Sequence, residues 1–309
     1  MALLFISDID DPAEWGAALK TFEPAIELCV WPEPGAVEAI DAALVWKPPA
    51  GVLKRFPNLR LIQSLAAGID HVLTDPELPQ GVPVARLVDP DLTGQMVEFA
   101  LLAVLSRHRH IERYRRQQAE RQWLLHGPTD TARCRVGVMG LGAIGGAVAR
   151  ALAGLRFATA GWSRTPKTVD GVETFSGTGQ LAAFLARTEI LLCLLPITAA
   201  TEGILNTELF ERLPRGAYLV NLGRGRHLVE RDLLVALESG QIAGAWLDVF
   251  QTEPLPRDHP FWSHPAITVT PHVAGWTIPR SAAAQVVENM QRVKAGFSPR
   301  NLVERARGY

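Results

Sequence analysis

The chain has 309 residues, of which 48% are hydrophobic, and its formal net charge is -1 at pH 7. This length and apolar content allow two domains with buried cores, and the near-neutral charge argues against nucleic acid or an anionic membrane as a bulk partner, because either would favour a strongly basic surface. The composition therefore predicts a large enzyme that acts on a small molecule.

The cysteines and the N-terminus predict a cytoplasmic protein. Cys29, Cys134 and Cys193 are odd in number and irregular in spacing, so they provide no disulfide framework. The opening sequence MALLFISDID has no basic region before its short apolar run. No stretch reaches the roughly 20 apolar residues of a membrane helix.

Strand-like and helix-like patterns alternate in the first part of the chain. Short apolar runs typical of strands are LLFIS (3–7), AALVW (42–46), LRLIQSL (59–65) and VPVARL (82–87). Residues 12–20 and 35–41 have the pattern of short helices. This alternation predicts a small βα domain.

A long helical pattern begins at Thr93 and continues through the basic segment RHRHIERYRRQQAERQ to Trp123. Gly127 and Pro128 predict its end. We expect a domain boundary near its start, with residues 1–95 plus 280–309 forming an outer substrate-binding domain and residues 96–279 a dinucleotide-binding domain.

Six further strand-like runs follow, separated by helices or loops. They are RVGVMG, ATAGWS, ILLCLLP, AYLVNLG, IAGAWLDVF and ITVTPHV. Strands that alternate with helices in this way predict a doubly wound α/β sheet. A last helix-like segment, at about 280 to 296, follows the sheet.

The first chemical motif is GxGxxG, with Gly140, Gly142 and Gly145 between a strand and a helix. The glycines allow a tight turn, close approach of the backbone to a pyrophosphate and close packing of the helix on the strand. Ala143 and Ile144 open that helix and complete the predicted pyrophosphate site. The alternative is a glycine-rich turn without a ligand.

The end of the next strand departs from the NAD pattern. A carboxylate there would bind both hydroxyls of the adenine ribose and repel a 2′-phosphate, but the chain has Ser163 and Arg164, with Lys167 nearby. A hydroxyl and two cationic groups suit a phosphate dianion, so we expect NADPH as the preferred cofactor, with NAD possible at lower preference. The alternative is ordinary surface charge.

Four polar residues follow the later strands. Arg224 lies between two glycines after an apolar strand, Asp248 and His272 lie near the ends of the last two strand-like runs, and Glu253 follows the first of these runs. Ligands of open α/β sheets bind at the carboxyl ends of strands, so these residues predict a site for substrate binding and proton transfer. Taken singly, Arg224 also fits a surface turn, Glu253 a solvated loop and His272 a strand-end histidine satisfied by the backbone.

Several segments in order resemble the D-isomer-specific 2-hydroxyacid dehydrogenase family: SLAAGIDH (64–71), the glycine motif, LLPITAAT, LPRGAYLVNLGRGRHLVE, ALESGQIAGAWLDVFQTEPLP and TPHVAGWT. Within the family, the chain is most similar to the glyoxylate and hydroxypyruvate reductase branch, through VWKPP, AAGIDH, WSRTPK and VAGWTIPR. The resemblance implies a Rossmann-type doubly wound domain inserted into a flavodoxin-like outer domain.

The resemblance also implies roles for the polar residues. Arg224 would bind the substrate carboxylate and polarise the C2 carbonyl, His272 would protonate the C2 oxygen, and Glu253 would hold the imidazole. Asp248 would meet the nicotinamide carboxamide.

Further residues complete the expected site. Backbone amides near Gly68 and Ile69 would bind the substrate carboxylate, and Leu195 with Pro196 would contact the cofactor. Trp46 and Trp276 are expected to wall a pocket for a small substrate, although each also fits a core or interface tryptophan.

The sequence also leads to expectations about the oligomeric state and about metal binding. The helix after Met96 and the apolar residues near Trp123 predict a homodimer through the nucleotide-binding domain. No metal is expected, because hydride transfer needs none and His108 and His110, two apart on a helix, do not face each other.

Three alternatives to this function stay open on the sequence alone. One is an enzyme of the same family acting on D-lactate or a bulkier 2-oxo acid. A second is a nucleotide-sensing corepressor or scaffold of the same fold. The third is nucleic-acid binding through the basic segment RHRHIERYRRQQAERQ, although Glu112 and Glu120 within it favour a solvated or subunit-facing helix.

Overall fold

A computed structural model describes residues 1–127 and 129–308 and divides the chain into two compact units. The split unit contains residues 1–92 and the segment from residue 276 onwards, and the inserted unit contains residues 93–275. Each unit has apolar clusters of its own, as expected of separate domains.

The split unit is built on a parallel sheet. Its N-terminal segment forms β1 (Ala2–Ile6), α1 (Pro12–Phe22), β2 (Glu27–Val30), β3 (Ile40–Val45), β4 (Leu61–Ser64), α2 (Asp70–Leu73) and β5 (Val84–Ala85). Hydrogen bonds join the strands in the order β2-β1-β3-β4-β5, which is the flavodoxin-like order. The predicted flavodoxin-like outer domain is confirmed.

Helix α1 shows how the local sequence sets an element. The Asp11 carboxylate accepts a hydrogen bond from the Ala13 N–H at 2.8 Å, and Pro12 supplies the fixed φ of a first helical residue. Trp15 and Leu19 lie one turn apart and are fully buried. The apolar face of the helix therefore packs into the core beside the sheet.

One secondary-structure prediction for this unit is wrong, and one strand was not predicted. Residues 35–41 contain only the single 3-10 turn Val37–Ala39, because the buried apolar run starting at Ile40 already belongs to β3. Strand β2 was not predicted, although Leu28, Cys29 and Val30 are apolar, because it is a short edge strand that becomes a strand through pairing with β1.

Helix α3 (Pro90–His108) leads into the inserted unit. This unit continues as α4 (Ile111–Ala119), β6 (Arg135–Met139), α5 (Ala143–Gly154), β7 (Ala158–Ser163), β8 (Glu173–Ser176), α6 (Gly177–Ala186), β9 (Ile190–Cys193), α7 (Thr207–Glu211), β10 (Ala217–Asn221), α8 (Glu230–Glu238), β11 (Ile242–Leu247) and β12 (Ile267–Val269). The parallel strand order is β12-β11-β10-β9-β6-β7-β8. The chain reverses direction across the sheet between β8 and β9, so the sheet is doubly wound, and the predicted Rossmann-type class is confirmed.

The expected long helix is two helices. Helix α3 ends at His108, His110 adopts a left-handed conformation with φ of 58°, and α4 ends at Ala119, before Trp123. The polar sequence around His110 has no apolar stripe that would require one continuous helix. Of the two residues expected to end the helix, Pro128 lies outside the described residues.

Strand β8 was also not predicted. It lies at the edge of the seven-stranded sheet, and its residues are exposed or half-buried, so no apolar run marks it in the sequence.

The C-terminal segment returns to the split unit as α9 (Pro279–Lys294). Its buried face, including Ala283, Val286 and Met290, joins the apolar cluster that contains Trp15 and Leu19. In residues 1–127 and 129–308, no helix combines the length and apolar character needed to cross a membrane.

Candidate active site

The turn after β6 has the geometry that a dinucleotide pyrophosphate requires. Gly140 has φ of +102°, and a Cβ on Gly145 would lie 1.7 Å from the Gly140 carbonyl oxygen. A Cβ on Gly142, at the N-cap of α5, would meet no described atom within 4 Å. The turn is therefore tight where helix and strand meet and open where Ala143 and Ile144 begin the helix, so these residues fit a bound pyrophosphate.

Ser163 ends β7 and shapes the turn that follows. Its side chain is buried, and its hydroxyl donates a hydrogen bond to the Thr165 carbonyl oxygen at 2.8 Å. Arg164 and Lys167 lie exposed in the same turn. The Ser163 hydroxyl hydrogen is already bonded to the Thr165 carbonyl oxygen. Arg164 and Lys167 are therefore the side chains of this turn that could donate hydrogen bonds to a phosphate.

The loop after β10 holds Arg224 through backbone contacts. The Asn221 side-chain amide donates to the Arg224 carbonyl oxygen at 3.0 Å, and the Gly223 N–H donates to the Asn221 Oδ1 at 3.2 Å. The half-buried guanidinium donates to the Gly223 carbonyl oxygen at 2.9 Å. The loop thus fixes the backbone of Arg224 directly at the carboxyl end of the strand.

Gly225 brings this loop against the loop that follows β11. A Cβ on Gly225 would lie 1.8 Å from the Phe250 carbonyl carbon, so only glycine allows this close approach. The Phe250 N–H donates to the Glu253 Oε1 at 3.1 Å. The contact places the Arg224 loop beside the loop that carries Glu253.

His272 and Glu253 form a direct pair. The His272 Nδ1 lies 2.9 Å from the Glu253 Oε2, and both side chains are half-buried. His272 adopts a left-handed conformation with φ of 56°, just beyond β12. Because the carboxylate accepts from Nδ1–H, Nε2 is the nitrogen left to exchange a proton with a ligand.

Asp248 anchors the segment that carries His272. Its buried carboxylate accepts hydrogen bonds from the Thr270 hydroxyl at 2.7 Å, the Val273 N–H at 3.0 Å and the Ala274 N–H at 2.9 Å. Burial raises the pKa of Asp248 above its ordinary value, and these hydrogen bonds oppose the rise. Both oxygens therefore already hold the chain, and the predicted contact with the nicotinamide carboxamide stays a prediction.

His227 is a residue of this region that the sequence interpretation missed. It is fully buried, its Nδ1 accepts from the Arg224 N–H at 3.0 Å, and its Nε2 lies 3.3 Å from the Pro196 carbonyl oxygen. Pro196 and the buried Leu195 belong to the loop after β9. No sequence signature marks it, because a capping box is recognised by Ser or Thr followed three residues later by Glu or Gln, and the capping-box geometry between Arg224 and His227 is seen only in the structure.

The remaining predicted site residues lie in the split unit. Gly68 and the buried Ile69 lie in the loop between β4 and α2. In this loop the Ser64 hydroxyl accepts a hydrogen bond from the Ala66 N–H at 3.0 Å and lies 3.2 Å from the Gly68 carbonyl oxygen. The Trp46 ring follows β3, and its centroid is 4.5 Å from that of His71.

Trp276 opens the C-terminal segment of the same unit and is 46% exposed. Arg224, Glu253 and His272, by contrast, all belong to the inserted unit. Among the described side chains, no group of three or more His, Cys, Asp or Glu residues could hold a metal ion.

These features define a class of protein. A Rossmann-type sheet with a glycine turn fitted to a pyrophosphate, and with an arginine and a histidine–carboxylate pair beyond its strands, is that of a dinucleotide-dependent oxidoreductase.

Comparison with known proteins gives the family. The model of the D-isomer specific 2-hydroxyacid dehydrogenase NAD binding domain matches residues 101–274. The chain belongs to the D-isomer specific 2-hydroxyacid dehydrogenase family, as the sequence motifs indicated.

Individual relatives match over the whole chain. Glyoxylate/hydroxypyruvate reductase A of Serratia proteamaculans is 42% identical, with 100% of both chains covered. A D-isomer specific 2-hydroxyacid dehydrogenase from Xanthobacter autotrophicus Py2, solved with NADPH and MES, is 44% identical, with a TM-score of 0.97 and coverage of 100% of this chain and 99% of that chain. The NADPH-dependent glyoxylate/hydroxypyruvate reductase of Sinorhizobium meliloti, solved with NADP and sulfate, is 36% identical, with a TM-score of 0.93 and 100% coverage of both chains.

Proposed function

We propose that the protein catalyses hydride transfer from NADPH to C2 of glyoxylate or hydroxypyruvate, giving the 2-hydroxy acid. The observation that carries this proposal is the contact between His272 and Glu253 at 2.9 Å beyond the last strand of a dinucleotide-binding sheet. Reduction of a carbonyl leaves an alkoxide unless a proton arrives, and a histidine oriented by a carboxylate can deliver one. Relatives at 42% identity over the full chain carry the name glyoxylate/hydroxypyruvate reductase A.

The glycine turn and the turn after β7 would hold the cofactor. Gly140, Gly142 and Gly145 fit its pyrophosphate, and the Arg164 and Lys167 side chains would contact the 2′-phosphate of NADPH. Bound NADPH would supply the hydride. Two related structures, from Xanthobacter autotrophicus and Sinorhizobium meliloti, contain NADPH or NADP, which supports this choice.

Arg224 and His272 would have different roles: Arg224 would bind and polarise the substrate, and His272 would supply the proton. The planar guanidinium of Arg224 can contact a carboxylate oxygen and the C2 oxygen together, which would orient the substrate and polarise its carbonyl. His272 would carry a proton on Nε2 and give it to the C2 oxygen, while Glu253 accepts from Nδ1–H and keeps the ring in place.

Four residues of the split unit have proposed substrate-binding roles of their own. The backbone N–H groups at Gly68 and Ile69 are proposed to bind the carboxylate, and the Trp46 and Trp276 rings to limit the size of the group on C2. Trp46 is held in place by its contact with the His71 ring, which suits a fixed wall.

A panel of 2-oxo acids tests the proposed function. With NADPH in excess, we expect glyoxylate and hydroxypyruvate to be reduced with higher kcat/KM than phenylpyruvate, because two tryptophans would limit the pocket. The decrease in absorbance of the reduced nicotinamide measures each rate. Faster turnover of phenylpyruvate would contradict the substrate assignment, and no turnover of any 2-oxo acid would contradict the enzyme itself.

We also propose a homodimer formed through the segment after α4. Trp123, Leu124 and Leu125 are 93%, 56% and 86% exposed, although the backbone around them is held. The Gln117 side chain donates to the Leu124 carbonyl oxygen at 3.4 Å, and the His126 N–H donates to the Tyr114 hydroxyl at 3.3 Å. An ordered segment that presents three large apolar side chains to solvent is typical of a subunit interface.

Substitution of Trp123 tests the dimer. We expect the unmodified protein to have twice the chain mass by light scattering at micromolar concentration, and Trp123→Glu to shift it toward the chain mass, because a buried charge opposes association. Trp262→Glu is the matched control, since Trp262 is an exposed tryptophan elsewhere in the inserted unit. A monomeric unmodified protein would remove the proposal.

The cytoplasm is the proposed compartment. Cys29, Cys134 and Cys193 are all free thiols, and burial raises the pKa of Cys134 to about 11 and that of Cys193 to about 12. Cys29 and Cys193 are buried and Cys134 is half-buried, and free thiols of this kind suit a reducing environment.

A further inference from the structure

We propose that His227 is a positioning residue that fixes the backbone of Arg224 for substrate binding, and that it acts as a neutral imidazole with its proton on Nε2. This inference rests on the proposed role of Arg224 in binding the 2-oxo acid. The imidazole is fully buried, and both of its nitrogens contact the backbone of neighbouring loops.

The contacts determine which nitrogen carries the proton. The Pro196 carbonyl oxygen, 3.3 Å from Nε2, can only accept, so Nε2 must be the donor. Nδ1 lies 3.0 Å from the Arg224 nitrogen and 3.1 Å from the Arg224 carbonyl oxygen. That oxygen already accepts from the Asn221 side-chain amide and from the His227 N–H, so we assign Nδ1 as the acceptor for the Arg224 N–H. A neutral ring with the proton on Nε2 satisfies both contacts, whereas a proton on Nδ1 would face the Arg224 N–H.

The ring also restricts the residue before Arg224. A Cβ on Gly223 would lie 3.0 Å from both the Nδ1 and the Cε1 of His227, so the imidazole packs directly against the backbone that leads into Arg224. The Arg224 carbonyl oxygen accepts from the Asn221 side-chain amide at 3.0 Å and from the His227 backbone N–H at 3.1 Å. The His227 imidazole therefore provides the acceptor for the Arg224 N–H, while Asn221 and the His227 backbone hold the carbonyl of the residue proposed to bind substrate.

The two contacts of His227 differ in importance. Pro196 keeps a second and shorter hydrogen bond, because the Thr201 hydroxyl donates to the same carbonyl oxygen at 2.7 Å. Asn221 reaches the Arg224 carbonyl oxygen, so it does not replace His227 as acceptor for the N–H. Loss of the imidazole should thus disturb Arg224 much more than the cofactor loop that contains Pro196.

Two substitutions separate these contacts. His227→Leu fills similar space but accepts no hydrogen bond, whereas His227→Gln places an amide oxygen at the capping-box position, where glutamine accepts from the N-cap N–H. For His227→Leu we expect KM for glyoxylate to rise about tenfold or more with a smaller fall in kcat, while the Kd for NADPH changes less than about threefold. His227→Gln should recover most of the loss in KM.

His108→Leu is the matched control. His108 is also a buried histidine of the inserted unit, but its Nε2 contacts the Thr131 hydroxyl at 3.2 Å, before the amino end of β6. Its replacement should lower the thermal midpoint without raising KM. An unchanged KM in His227→Leu, an equal loss of NADPH affinity, or no recovery in His227→Gln would each overturn the proposal.

Nuclear magnetic resonance of the unmodified protein tests the geometry directly, even if His227→Leu does not fold. With uniform ¹⁵N labelling, we expect a scalar coupling across the hydrogen bond between the Arg224 amide nitrogen and an unprotonated His227 Nδ1 at pH 7. A proton on Nδ1, or a cationic ring, would overturn the proposal. This readout needs no turnover, so it distinguishes failure of the His227 inference from failure of the proposed reaction.

Discussion

Replacing His272 with alanine is expected to lower kcat for glyoxylate reduction by about 10²- to 10⁴-fold, because the substitution removes the proposed general acid. The Kd for NADPH should stay nearly unchanged, since the glycine turn after β6 and the turn after β7 lie in other parts of the chain. Steady-state rates with saturating NADPH, together with fluorescence titration of the cofactor, measure the two quantities.

A second histidine near the same strand provides the control. His264 precedes β12, and its Nδ1 accepts from the Ala266 N–H at 3.2 Å, whereas His272 follows the carboxyl end of that strand. His264→Ala should therefore leave kcat close to that of the unmodified protein. If His272→Ala keeps most of its activity at neutral pH, His272 is not the acid.

The second large effect concerns the choice of cofactor. We expect the unmodified enzyme to prefer NADPH over NADH by about ten- to a hundred-fold in kcat/KM, because a charge-assisted contact from Arg164 to the 2′-phosphate is lost with NADH. Combining Ser163→Asp with Arg164→Ala should move the preference toward NADH, since it adds a carboxylate for the ribose hydroxyls and removes the phosphate partner.

The single variant Arg164→Ala makes this test cleaner. The Ser163 hydroxyl donates to the Thr165 carbonyl oxygen at 2.8 Å, so a change at Ser163 also alters the turn, whereas a change at the exposed Arg164 leaves that bond in place. Arg150→Ala, on the exposed face of α5, should not change the ratio of kcat/KM values. Equal kcat/KM with both cofactors in the unmodified enzyme would show that Arg164 does not select the phosphate.

Most strands could be predicted because their apolar residues are consecutive and buried, whereas the half-buried edge strand β12 was predicted from its apolar run alone. All six strand-like runs after residue 130 correspond to strands of the doubly wound sheet, and helix α1 was marked by Asp11, Pro12 and the pair Trp15 and Leu19. Strands β2 and β8 were not predicted, because pairing with a neighbouring strand, and not a long local apolar run, makes them strands.

The candidate site could likewise be predicted only in part from the sequence. Arg224, Glu253 and His272 were predicted as site residues from their positions after strands and from the family motifs, because parallel strands bring their carboxyl ends to one edge. The 2.9 Å contact between His272 and Glu253, residues 19 apart in the chain, exists only once the loops after β11 and β12 have folded.

The sequence by itself determined the class of fold, the pyrophosphate turn and the identity of the polar residues, since each depends on local patterns of apolar residues, glycine and charge. Only the tertiary structure decided what those residues contact. In the structure, the Asp248 carboxylate accepts a hydrogen bond from the backbone just beyond His272, and the Ser163 hydroxyl donates one to the Thr165 carbonyl oxygen. The buried His227 ring contacts the backbone of Arg224 and Pro196. The physical reason is that a hydrogen bond requires donor and acceptor within about 3 Å, and packing of loops from separate strands, which no local pattern encodes, sets those distances.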